Sequence, residues 1–286
     1  MPVALNPTRD ALLTVARTLP PAAQIISGIC DLLQDVNTDL DTIAHHIRMD
    51  AALAGRVIRV SNSVVYGGRG SVSSVEEAVG RVGFSEVVRL VGTATVTNMI
   101  DRELQSYHVA VDVLREALLL HALASEALAE AAGLDRHAAY VGGLLRGVGV
   151  MVLDRFARGK LTPELTFDPS AFDSYRSWET ARFGVNSTRV TTMALDDWRF
   201  PEEIVGALEA HIEPPAEGTE TLDRMANLLN LAGAIATDYG RALPGEVIHW
   251  TRTSEKLVAA GIDEDQYANA SAQACSVFDQ QRQALY

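Results

Sequence analysis

Tyr140-Val-Gly-Gly-Leu-Leu-Arg-Gly-Val-Gly-Val-Met-Val-Leu-Asp154 is apolar on nearly every side. A helix that is hydrophobic all round belongs inside a larger body, so the stretch predicts one central helix with others packed around it. Four glycines interrupt it, Gly142, Gly143, Gly147 and Gly149, and each costs about 1 kcal/mol against alanine in a helix interior. Glycines kept at that cost let a neighbouring helix or a ligand come close to the backbone. Arg146 is the only charge before Asp154.

Working outward, Asp135 is placed to cap this helix, and Gly133 to stop an Ala/Leu-rich one over Leu114–Ala132. Downstream, Thr162–Ser170 reads as a connection, followed by helices over Ala171–Phe183, Ser187–Trp198, Glu202–His211 with Pro201 as the first helical residue, and Glu220–Tyr239. Gly240–Pro244 breaks the chain, and Thr253–Ala260 and Asp263–Leu285 complete it. Upstream, short helices are expected at Pro7–Thr18, Ala22–Leu33, behind Asn37-Thr38, and behind Asp50. Ser73 and Ser74 followed by Glu76 and Glu77 form two overlapping capping boxes, before a helix that Gly83 ends and a longer one from Ser85 to about Asp101. No segment alternates like a strand and no hairpin signal is present. The expected fold is all-α. An N-terminal bundle of short helices, residues 1–108, packs on a longer-helix domain, residues 109–286, with the boundary at 104–112.

The formal charge of −13 excludes a general nucleic-acid binder, which presents a basic footprint. Residues 1–108 carry a net −2 and residues 109–286 the remaining −11, with a mild excess of six arginines over four acids in Arg48–Arg89. Cys30 and Cys275 stand far apart, as free thiols do in a reducing compartment. The N-terminus lacks a signal pattern and no uncharged apolar run reaches the 18 or so residues of a membrane span, so a cytoplasmic location is expected. Gly67-Gly68-Arg69-Gly70 lacks the Lys-Ser/Thr of a phosphate-binding loop, and neither Gly-x-Ser-x-Gly nor His-Glu-x-x-His occurs.

Several motifs in order carry a family resemblance: Arg48-Met-Asp50-Ala-Ala-Leu53, Arg59-Val-Ser-Asn62, Tyr66-Gly67, Ser73–Ala78, Gly143–Gly149, Gly184-Val-Asn-Ser187, Trp198-Arg-Phe-Pro201 and Ala207–His211. Over about residues 19–214 the chain resembles the HDOD family, HD-related output domains of bacterial signalling proteins and non-catalytic relatives of the HD and HD-GYP phosphohydrolases. The resemblance implies an HD-like C-terminal domain and a regulatory module that acts by binding signalling or regulatory proteins. In the enzymatic relatives, His and carboxylate ligands hold metal ions that activate water. The first of those histidines falls on Ala117, the His-Asp pair on Arg146-Gly147, the next histidine on Ser187, and a His-His-Glu segment on His211-Ile212-Glu213. Methyl, guanidinium, hydrogen and hydroxyl groups make a poor metal site, and Arg146 would repel a cation. No metal, cofactor or hydrolysis is therefore expected.

His121, one turn beyond Ala117, reads as a core or rim histidine with one hydrogen-bond partner. Adjacent His45 and His46 diverge by roughly 100° on a helix and cannot easily share a metal. Arg146 has two readings: a buried ion pair, with Asp154, Glu179 or Glu213 as candidate partners, or an anion-binding charge. The second reading would make the protein a nucleotide or cyclic-dinucleotide sensor that does not hydrolyse its ligand. A third reading, a hydrolase rebuilt around His121 and His211, is disfavoured by the same residue losses. Arg56, Arg59, Asn62 and Tyr66 form a candidate partner surface, although Asn62 at a helix end equally suits a bond to backbone. Homo-oligomers are compatible with all of these.

Overall fold

The computed structural model describes residues 4–19, 44, 47–48, 51–62, 71–160, 162–218 and 220–285. The helices expected at Ala22–Leu33 and behind Asn37-Thr38 lie outside the described residues, apart from Ala44, Ile47 and Arg48. So do Cys30, His45, His46, Asp50 and the Tyr66–Gly70 loop. The chain divides into two compact units, one of residues 1–19 with 100–286 and one of 20–99. Among the described residues the secondary structure is helical, and the only extended pairing is a single bridge between Leu104 and Val109.

The first helix, α1 (Arg9–Ala16), is capped by the Thr8 hydroxyl on the Ala11 N–H and belongs to the larger unit. The smaller unit holds α2 (Ala51–Ser61), α3 (Val75–Val82) and α4 (Phe84–Met99), which pack on one another. The Ser74 hydroxyl accepts from the Glu77 N–H to start α3, and Gly83, at φ +81°, ends it. Val57, Val75, Ala78, Val79, Val87 and Val91 are among its buried residues.

The larger unit is built round α5 (Val111–Ala132), buried almost throughout from Leu114 to Ala129 and ended by Gly133 in the left-handed conformation. Asp135 then caps α6 (Arg136–Leu145), and α7 (Val148–Ala157) follows. The expected single helix is thus two. Its reason lies in Gly147, whose backbone (φ −82°, ψ 1°) leaves the helical region between Arg146 and Val148. Thr191 stitches the break from outside: its hydroxyl donates to the Arg146 carbonyl (3.1 Å) and accepts from the Gly149 N–H (2.9 Å). Two backbone groups that a continuous helix would pair internally are satisfied by one side chain.

A 3-10 turn at Pro163–Leu165 leads to α8 (Tyr175–Phe183), capped by Ser174, and α9 (Ser187–Asp197), capped by Asn186. Next come α10 (Glu202–Ala210), α11 (Thr221–Asp238), a 3-10 turn at Val247–His249, α12 (Ser254–Ala260) and α13 (Glu264–Leu285). Pro201 is the cap of α10 rather than its first helical residue. Helices α6, α11 and α13 surround α5, while α1 and α9 pack against α7. The helix break therefore sits in the interior.

Candidate functional site

The break aims Arg146 at a point enclosed by α5, the end of α10 and the turn after α11. Its side chain is only 2% exposed, and Nη1 donates to Glu246 Oε2 at 2.7 Å. The candidate partners read from sequence are engaged elsewhere, which corrects that expectation. Asp154 accepts from the Ser106 N–H and from Arg158. Glu179 accepts from the Ser187 N–H (2.6 Å) and the Tyr107 hydroxyl (2.7 Å), and Glu213, well exposed, stands 3.7 Å from Arg176.

Trp250 is the hub. Its ring has the Arg146 guanidinium over it, 5.3 Å from Cζ to the centroid, with His121 edge-on at 5.4 Å and His211 tilted at 5.7 Å. Gly233 on α11 makes room for the indole, because a Cβ there would collide with it. Asn230, fully buried, donates to the carbonyls of His211 (2.8 Å) and His249 (3.1 Å) and accepts from Lys256 Nζ (2.6 Å). That amide ties the end of α10 to the turn that carries Trp250.

Both histidines are neutral. Burial, then the charge of Arg146, holds His121 well below the usual range, and burial brings His211 down to about 3. His211 Nδ1 donates to the Leu208 carbonyl at 2.5 Å. The Leu229 carbonyl lies near His121 and favours its protonated form, but neither ring nitrogen aligns with it as a hydrogen bond requires.

The other sequence candidates scatter. Ala117 is fully buried on α5, and Gly147 packs under Leu118, 2.8 Å from where a Cβ would stand. Ser187 opens α9, its N–H on Glu179 and its carbonyl against Gly149, so it joins a different cluster. Asn62 exchanges two bonds of 2.8 Å with the backbone of Val72, closing the loop between α2 and α3, and Arg59 is exposed. The Arg56 side chain and Tyr66 lie outside the described residues. Among the described residues no group of three His, Cys, Asp or Glu is placed to hold a metal ion. Glu246, Trp250, Thr191 and Asn230 are site residues that the sequence reading missed. The one signal was a tryptophan shortly after the Gly240–Pro244 break.

A buried polar cluster at a helix break inside an all-helical body defines the class. The chain belongs to the HDOD domain family, which it matches over residues 19–214. Among curated proteins none matches the sequence. Three solved structures share the fold. One is a Marinobacter aquaeolei VT8 protein whose name assigns it to signal transduction (TM-score 0.65, 21% identity), covering 95% of this chain. This chain spans 65% of that protein's length, less than two thirds. A Shewanella amazonensis SB2B protein named as a phosphohydrolase (TM-score 0.65, 20% identity) is covered over 97% of its length, with 94% of this chain. An HDOD domain protein of unknown function from Geobacter sulfurreducens (TM-score 0.60, 18% identity) pairs 93% of this chain with 97% of its own. Among the described residues no helix is long and apolar enough to cross a membrane.

Proposed function

We propose that the protein is a non-catalytic regulatory module of bacterial signal transduction that works by binding other proteins. The observation that carries this reading is the Arg146–Glu246 ion pair, stacked on Trp250, at the position matched to the metal-binding His-Asp pair of enzymatic relatives. A guanidinium held there by a carboxylate opposes a divalent cation, and the neighbouring histidines serve as packing groups against an indole. Family membership and the signalling name of the Marinobacter relative support the regulatory role. Exposed Arg59, beside Asn62 at the end of α2, is the proposed partner contact.

Purified protein is expected to carry no stoichiometric transition metal and to leave cyclic di-GMP intact. Elemental analysis giving about one metal per chain, with turnover abolished by His211→Ala, would overturn the non-catalytic reading. For the partner surface, a protein retained by the intact chain should be lost with Arg59→Glu at unchanged melting temperature. Equal retention would remove that surface from the proposal.

A further inference from the structure

Arg146 has more donors than the described residues satisfy. Nη1 reaches Glu246, while Nε and Nη2 are buried with no acceptor among the described residues. Those two N–H groups lie on one edge of the guanidinium, the parallel fork that fits both oxygens of a carboxylate or phosphate. Trp250 lies against Cζ, but a ring face has no lone pair to offer in-plane N–H groups. Across the same indole, both ring nitrogens of His121 are fully buried without an aligned partner among the described residues. Folded interiors pair nearly all their buried polar atoms. Two N–H groups of Arg146 and one of the neutral imidazole, on side chains that share one ring, mark a place for a bound acceptor.

We infer that the Arg146 fork and His121 form a binding site for a small, singly charged oxyanion, either a carboxylate or a phosphodiester. The charge follows from the surroundings: Glu246 already cancels Arg146, so the site offers directed donors rather than net positive charge. A singly charged ligand leaves this group at a net −1, and a second charge would double that imbalance in a buried region. The way in runs along Glu246. Its side chain is 13% exposed against 2% for Arg146, and the 3-10 turn that follows leaves Ile248 54% exposed. Besides the Arg146 pair, the Tyr175 N–H on the Gly245 carbonyl and Asn230 on the His249 carbonyl hold this segment from outside. Glu246 thus stands as an internal acid beside the incoming one. This inference does not depend on whether the chain binds a partner protein.

The test titrates the full chain separately with acetate and with dimethyl phosphate, following the Arg146 Nε–H and Trp250 indole resonances, with chloride at matched ionic strength as control. Saturable binding to one or both oxyanions and none to chloride is expected, and the arm that saturates tells the acid source from the phosphodiester source. Arg146→Lys keeps the charge but has no fork, and should weaken binding at least tenfold. Glu246→Gln keeps an acceptor for Nη1, removes the competing charge and should tighten binding severalfold. Should Arg146→Lys fail to fold, His121→Phe, which retains a ring against Trp250, should weaken binding severalfold. Absence of saturation with both oxyanions, an equal effect of chloride, or undiminished binding by the folded Lys or Phe variant would overturn the site.

Discussion

A buried charge must be paired, and that rule made an ion pair at Arg146 legible from sequence, though not its partner. Glu246 lies 100 positions away, in a segment that reads only as a chain break. The three acids that looked better placed are taken by Ser106, Arg158, Ser187, Tyr107 and Arg176. Arg146→Ala leaves Glu246 uncompensated beside an emptied space, and should lower stability by about 3 kcal/mol in urea denaturation. A loss below about 1 kcal/mol would show the pair to be effectively solvated. His121 was expected as a core histidine with one partner. It is in the core, but among the described residues neither ring nitrogen has an aligned partner. Thr191 carried no signal at all, since a threonine within a helix looks like any other. Its hydroxyl nevertheless closes the break at Gly147 with two bonds. Thr191→Val preserves shape and removes both, leaving a buried N–H and a buried carbonyl unpaired. The expected cost is about 2–6 kcal/mol, from roughly 1–3 kcal/mol per orphaned group, read from the same denaturation curves.

At the scale of the helices, caps and stops were legible because they are local chemistry: Asp135, Gly133, Ser74 and Gly83 all act where the sequence puts them. The division of Tyr140–Asp154 was not, because an apolar run has the same pattern whether one helix or two fill it. The glycines held the information, and they differ from one another. Gly149 presses on the Ser187 backbone, and a Cβ there would collide with the carbonyl. Gly142 faces a cavity of about 30 Å³ between α6, α10 and α11, its nearest neighbour being Leu229 at 3.6 Å. Gly149→Ala should therefore force α7 and α9 apart and cost several kcal/mol, as overpacking against backbone does. Gly142→Ala should be neutral or stabilising by up to about 1 kcal/mol, through helix propensity. Thermal melts of the two variants side by side check the assignment, and equal losses would mean that the α7–α9 contact yields freely.

For the larger unit as a whole, the buried titrating groups oppose each other below neutral pH. Burial pushes Glu179 up to about 7, against the pull of the Ser187 N–H and the Tyr107 hydroxyl. An acid raised on folding contributes stability at low pH that is lost as pH rises through its folded value. His121 and His211 work the other way. Their folded values are depressed, that of His211 to about 3, so their contribution is present above the ordinary histidine range and is lost as pH falls. Each proton held off costs about 1.4 kcal/mol per pH unit below roughly 6.5. Between about pH 5 and 6.5 the two histidines outweigh Glu179, so stability should rise with pH by a net of about 1.4 kcal/mol per unit. Above about pH 7 none of the three changes its protonation on folding, and stability should level off. Glu179→Gln separates the branches, since the amide can still accept from Ser187 and can donate to the Tyr107 oxygen. The variant should rise more steeply, by about 2.7 kcal/mol per unit between pH 5 and 6.5, and run parallel to wild type above pH 7. Denaturation free energies between pH 5 and 9 measure both, and a variant curve parallel to wild type between pH 5 and 6.5 would show that burial does not raise Glu179.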